Sequence, residues 1–261
     1  MSFKKYSNGR LNHFFELLFA MTEKELRARY KHTMFGFFWL IANPLLQVFV
    51  IGFVFQFFMK SPIPNYNYYL FLGLLIWNFF SLSLTKATPS IVFERNLIKK
   101  AKFPHAVIPL SIILSNLVHL IAAFIIFLIP VTFLGTLSPS SIPITCIAFI
   151  LLLAFTSGFA LLSSALNVRF RDINFFVQAM LIIWFYATPI IYSFSFIPYE
   201  FMGIWRLNPM VSILQLFQHG ILNFPAPGPA MLTANISGII LVLVLGIVIF
   251  QRESKYFDDW I

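Results

Sequence analysis

Few residues in this chain carry chemistry, and most of those lie in three short charged clusters. Arg27, Arg29 and Lys31 close one charged stretch. Glu94-Arg-Asn-Leu-Ile-Lys-Lys-Ala-Lys-Phe-Pro104 is a second, in which charged heads alternate with Leu97, Ile98 and Phe103. Arg169-Phe-Arg-Asp172 is a third, with Asp172 placed to cap the positive end of a following helix. Anionic headgroups attract each nearby basic side chain by about 1 kcal/mol, so the second cluster suits a lipid surface. As a short amphipathic helix it would equally suit a lever for a soluble partner. His119 is the one ionisable side chain deep in an apolar run, where a hydrogen bond to a neighbouring helix is a commoner role than proton carriage. Trp39, Trp77, Trp184, Tyr192 and Trp205 sit near the ends of apolar runs. Such rings form an interfacial belt, or a stacking surface for ligands with apolar faces and hydroxyls, such as sugars.

What is missing narrows the reading. The sequence holds no G-x-x-x-x-G-K-[ST] phosphate loop, no H-E-x-x-H, no G-x-S-x-G and no Cys/His metal cluster. Its apolar runs contain no carboxylate, which a proton relay or cation-coupled carrier ordinarily places there. Cys146 is the only cysteine, so no internal disulfide forms. These residues fit a conduit or scaffold better than a catalyst, and energy for uphill movement would come from a partner.

The elements that must hold these residues are set by composition. Of 261 residues 59% are apolar and 10% charged, which excludes a soluble enzyme, a disordered chain and a secreted disulfide scaffold. Crossing about 30 Å of hydrocarbon takes about 20 apolar residues in a helix. Windows free of charge predict an all-α polytopic membrane protein with six transmembrane helices, at about 36–59, 66–88, 106–134, 143–166, 173–194 and 231–250. No clean signal-peptide core precedes the first of them. Leu11, Phe14, Phe15, Leu18 and Met21 share one face, predicting amphipathic interface helices over 11–33, the second beginning at the Thr22-Glu-Lys-Glu25 capping box. Asn208-Pro209 reads as an N-cap and first-turn proline, and Asn223-Phe-Pro-Ala-Pro-Gly-Pro229 as a break. The segment 197–229 is therefore expected to be a re-entrant helical hairpin on the extracytoplasmic side. The net charge of +9 points to membrane lipid rather than nucleic acid, because the basic residues flank apolar runs. Of 18 Lys and Arg, all but Lys60 and Arg206 fall on one side of the six spans, so both termini are expected in the cytoplasm.

These segments also resemble a known family. Thr22-Glu-Lys-Glu-Leu-Arg-Ala-Arg-Tyr30, with Gly36-Phe-Phe-Trp39 and Pro44, is similar to the T-x-R-[DE]-L-K-x-R-Y…L-G-x-x-W…P pattern of ABC-2 type permeases that export lipid-linked polysaccharides. Lys24 stands where that pattern has arginine, and Phe35 where it has leucine. Asn96-Leu-Ile-Lys-Lys-x-x-Phe-Pro104 with Pro109, Leu166-Asn-Val-Arg-Phe-Arg-Asp172, Thr188-Pro-Ile-Ile-Tyr192 and Asn208-Pro209 follow in the family's order. The resemblance covers nearly the whole chain as one transmembrane domain.

It implies a homodimer of this chain in the bacterial cytoplasmic (inner) membrane, above two copies of a separate ABC ATPase that binds ATP and Mg. This chain would need no cofactor or metal of its own. The substrate would be a polyprenyl-pyrophosphate-linked glycan, of O-antigen, capsule or teichoic type. Glu94, Arg95, Asn96, Leu97, Lys99 and Lys100, with Arg169, Arg171 and Asp172, would contact the ATPase. Arg27, Arg29 and Lys31 would meet the lipid pyrophosphate, and 197–229 would form a gate. A sliding polymer needs many weak contacts, so Trp77, Phe80, Trp184, Tyr186 and Tyr192 are candidates to line its channel. Two other readings predict different features. A membrane-embedded glycosyl or acyl transferase would cluster acidic or histidine groups at one interface, yet Glu200 is the only carboxylate outside the cytoplasmic segments. A small-lipid or drug exporter of the same superfamily usually carries a larger domain between its first two spans, where only 60–65 lie here.

Overall fold

The computed structural model describes residues 9–31, 38–57, 63–101, 103–137 and 141–260, and every regular element among them is a helix. In chain order these are α1 (Gly9–Tyr30), α2 (Trp39–Phe57), α3 (Tyr66–Ala87), the short α4 (Ser90–Phe93) and α5 (Arg95–Lys100), then α6 (Val107–Thr132), α7 (Ser141–Arg169) and α8 (Asp172–Tyr186). They are followed by α9 (Met202–Arg206), α10 (Pro209–Leu222), α11 (Pro229–Glu253) and α12 (Phe257–Trp260). Among the described residues four stretches are long and apolar enough to cross a membrane: Tyr66–Ala87, Val107–Thr132, Ser141–Arg169 and Pro229–Tyr256. They fall on the expected spans 66–88, 106–134, 143–166 and 231–250. Ala42–Phe55 within α2, and α8, are shorter apolar helices. The expected boundaries at 33, 36 and 59, the basic residues before 9, Lys60, Lys102 and the turn residues 138–140 lie outside the described residues.

Three expectations change. The two interface helices of 11–33 are one continuous helix, α1, with no start at Thr22. The Thr22 hydroxyl donates back to the Leu18 carbonyl at 2.7 Å, so it is satisfied inside the helix rather than capping a new one. The fifth apolar helix ends at Tyr186 instead of reaching 194. Pro189 disfavours helix at the residue before it, and the turn that follows is held by tyrosines of α3. The single Tyr69 hydroxyl proton is shared between the carbonyls of Pro189 and Tyr192, each 2.9 Å away, and Tyr66 donates to that of Ile191 at 2.9 Å. Asp172 lies in the first turn of α8 without capping it, since the N-cap position is Arg171.

Asn208 caps α10 as its sequence context suggests, accepting from the Met210 amide at 3.1 Å with Pro209 beginning the helix. Within 197–229, α9 is a single short turn and α10 carries most of the helix. At 1.5 Å per residue α10 is about 21 Å long, short of the about 30 Å of hydrocarbon. It runs antiparallel to α11. Asn235 of α11 donates to Ser212 at 2.5 Å, and Pro209 packs near Gly238. One edge rests on the first half of α7, where Phe217 meets Phe149 with ring centroids 4.8 Å apart. The start of α10 therefore lies level with the interior of α11.

The bundle has two chemically distinct ends. At one, Ile91, Ile98, Ile108, Leu161, Val168, Phe250 and Phe257 form a small core against which Met21 of α1 packs. The chain's first and last described helices therefore share that end with the basic clusters. At the other end, Gly135 turns at φ +64° and Asn223 at φ 56°. Asn223 donates to the Thr136 carbonyl at 2.9 Å while Thr136 donates to that of Ile221 at 2.8 Å, tying the α6–α7 turn to the tail of α10. Between the ends, α7 and α11 approach so closely at Gly158 and Gly246 that a Cβ on Gly246 would strike the Gly158 carbonyl.

Candidate functional site

The basic end gathers a cavity of about 510 Å³ between α1, α2, α3 and α6, mostly apolar in its walls but with a polar cluster at one side. Arg29 enters it from α1. Its Nη2 donates to Asn116 Oδ1 at 2.5 Å, and its Nη1 lies 3.0 Å from His119 Nδ1. Asn116 Nδ2 in turn donates to Ser83 Oγ at 3.0 Å, so one chain of polar groups joins α1, α6 and α3. His119 Nδ1 is also 2.6 Å from the Ser115 carbonyl. Arginine only donates and a carbonyl only accepts, so Nδ1 serves one of the two at a time. Lys86, Asn43, Gln47 and Asn78 also line the cavity, and Asn78 donates to Gln47 Oε1 at 3.1 Å. Two cations and several amides converging near the bundle's basic end can hold an anionic group with oxygen acceptors.

Of the three cations singled out in the sequence, only Arg29 points into this cavity. Arg27 is exposed and pairs with Glu23 one turn back, and Lys31 is exposed. Helical geometry explains the split, because 27 and 31 are four apart and share a face while 29 lies opposite. Lys86 is the residue that sequence reasoning missed. It reads as a positive flank of the second span, and only packing of α1 against α6 brings Arg29 to it.

The expected partner-facing segments lie at the same end. Ile98 is buried and fixes α5, leaving Arg95, Asn96, Lys99 and Lys100 exposed and Leu97 half-buried. Glu94 accepts from Lys24 Nζ at 2.6 Å, which ties this segment to α1. Arg171 and Asp172 are exposed, and the Arg169 guanidinium lies 5.2 Å from the Phe170 ring centroid and 5.4 Å from that of Trp260.

The aromatic candidates separate. Trp77 and Phe80 belong to the interior, Phe80 with no exposed surface. Phe80 stacks on Phe155 at 5.5 Å and meets Trp184 edge-on at 5.3 Å, so these rings brace α3, α7 and α8. Trp184 Nε1 donates to Asn208 Oδ1 at 2.9 Å, while Asn208 Nδ2 reaches the Ala187 carbonyl and Thr188 Oγ1, both at 3.1 Å. One side chain thus joins the end of α8 to the start of α10. Tyr192 is partly buried, donating to the Tyr186 carbonyl at 2.7 Å and accepting from Trp205 Nε1 at 3.0 Å. Tyr186 is the exposed member, at 65%.

Comparison with known proteins places this arrangement. The model of the family described as ABC-2 type transporter matches residues 16–222. An O-antigen export system permease protein RfbA of Klebsiella pneumoniae is 36% identical over 269 residues, covering 99% of both chains. The RfbA of Myxococcus xanthus is 32% identical, covering 91% of this chain and 93% of its own. A capsule polysaccharide export inner-membrane protein, BexB of Haemophilus influenzae, is 23% identical over 90% of each. With similarity running end to end across helices arranged as above, the chain belongs to the ABC-2 type transporter family.

Proposed function

We propose that this chain is the transmembrane subunit of an exporter that carries a lipid-linked polysaccharide, of the O-antigen kind, across the bacterial cytoplasmic membrane. The observation that carries this reading is the 36% identity to an O-antigen export permease over 99% of the chain. Hydrolysis of ATP resides in a separate ATPase subunit at the basic end. Six crossings leave both termini in the cytoplasm, α2 and α8 completing the four long helices; α8 is only about 22 Å long and crosses together with the irregular segment after it, which Tyr66 and Tyr69 hold against α3. α10 dips into the outer leaflet without crossing.

Two copies of the chain enclose the path. The large exposed apolar faces of α2 (Leu45, Leu46, Phe49, Phe53) and α8 (Phe175, Phe176, Ile182, Ile183) support this, since each helix buries little of its own surface within one subunit. α5 enters the ATPase, and the turn Arg169–Asp172 makes a second contact. ATP binding favours one arrangement of the ATPase pair, and α5 turns that preference into movement of the spans. Arg29, backed by Lys86, receives the pyrophosphate of the lipid carrier, with Arg27 and Lys31 at the rim. Among the aromatics, Tyr186 and Tyr192 keep the best access to a sliding glycan.

The test is a strain lacking this chain, complemented with its natural ATPase. Restored chain should restore surface glycan, and Lys99→Glu with Lys100→Glu should abolish it while the ATPase still assembles. Surface glycan unchanged by loss of the chain would overturn the reading.

A further inference from the structure

At the end of the bundle opposite the basic clusters lies a second cavity, of about 480 Å³, bounded by the 193–196 turn, the start of α3 and the tail of α10. Its volume falls within the about 300–1,000 Å³ of small-molecule sites. Among the described residues its lining contains no Lys, Arg, His, Asp or Glu. Phe194, Phe196 and Phe224 supply ring surface, and Ser195 a hydroxyl at the rim. Gln215 and Gln218 face it from α10, three residues apart and so on one side of that helix. Gln215 Oε1 is buried and closes no hydrogen bond among the described residues, while the buried Gln218 amide approaches the Tyr69 hydroxyl oxygen, a partner that a ligand would share. Gln218 is only 4% exposed.

A buried polar atom left unpaired costs about 1–3 kcal/mol, so the open acceptor of Gln215, with the Gln218 amide donor on the same wall, points to a ligand that answers both. Acyl chains answer neither, and ions would call for charge. A sugar hydroxyl donates and accepts at once, and the C–H face of a sugar ring packs on an aromatic ring. We propose that this outer cavity is a binding subsite for a short neutral stretch of glycan. Gln215 accepts from one hydroxyl and Gln218 donates to another, while the phenylalanines hold the ring face. The inference rests on the glycan-export reading and locates a contact in it outside the expected channel residues. The cavity is built partly from α10, so occupancy would also bear on the segment expected to act as the gate.

The test uses the full transporter, with its ATPase, in exporting cells. Ser195→p-benzoylphenylalanine places a photoreactive group at the exposed rim without disturbing the core, and Leu245→p-benzoylphenylalanine places it on the exposed face of α11. After irradiation, the purified chain should carry a glycan ladder from position 195 and none from 245. Gln215→Leu should lower the yield at 195 about tenfold, the scale of one good hydrogen bond. Absence of a ladder at 195 in cells that display surface glycan would overturn the subsite alone, as would an equal ladder at 245. Surface glycan that does not depend on this chain would overturn the export reading and the subsite together.

Discussion

Arg29 and Lys31 differ by two residues and by half a turn of helix, and that difference decides what each can do. Arg29 is held by Asn116 and sits beside His119, whereas Lys31 and Arg27 face outward. Arg29→Gln should therefore lower export about tenfold, and Lys86→Gln should act in the same direction. Arg27→Gln and Lys31→Gln should each change it by no more than about fivefold, because exposed charges contribute about 0–1 kcal/mol. Surface glycan measured at equal levels of membrane-inserted protein checks this, and equal losses at 27, 29 and 31 would contradict it. The Asn208-Pro209 cap was legible from spacing alone, whereas Arg27, Arg29 and Lys31 read in the sequence as one basic group, their faces not separated. The company Arg29 keeps was not legible either, since Lys86, Asn116 and His119 come from helices far apart in sequence. The same limit applies to Phe80, whose burial depends on Phe155 and Trp184 arriving from two other helices.

Among the elements, α7 and α11 form the tightest pair. An added Cβ at Gly158 would lie 2.6 Å from the Leu243 backbone, and one at Gly246 would strike Gly158 itself. Backbone cannot yield as a flexible side chain does, so the helices must part. Overpacking of this kind costs about 1–3 kcal/mol or more. Gly158→Val or Gly246→Val should lower the thermal midpoint of the detergent-purified subunit by several degrees, whereas Gly238→Ala should change it little, since the atom its Cβ would meet, on Pro209, is 3.8 Å away. A fluorescence melt of the three variants decides it. Helix positions were readable because charge-free windows define them, and four of the six agree closely. The end of α8 was not, because Tyr66 and Tyr69 of another helix hold the turn that replaces its last part. The start expected at Thr22 failed because a capping box and an uninterrupted helix share the same letters there.

At the scale of the whole molecule, the charge count and the fold agree about which ends belong together. Met21 of α1 and Phe257 of α12 belong to one small core, as the six crossings proposed above would require. Fluorescent-protein fusions at both termini should glow, and alkaline-phosphatase fusions there should be inactive. Insertion of the phosphatase after Pro225, in the turn before α11, should be active. An active fusion at either terminus would refute the six-crossing topology. The exposed faces of α2 and α8 were invisible in the sequence, because an apolar residue reads alike whether it meets its own core, a second subunit or lipid.

The length of α7 has a consequence for how the subunit sits. Its 29 residues rise about 43 Å, while the hydrocarbon slab is about 30 Å thick. An ordinary inclination of about 20° removes only a few ångströms of that excess. If its outer end is level with the lipid boundary, the inner two turns, with Ser164 and Asn167, stand as a stalk clear of the acyl chains. The Arg169–Asp172 corner is then carried beyond the headgroups, within reach of a water-soluble protein that need not itself touch the bilayer.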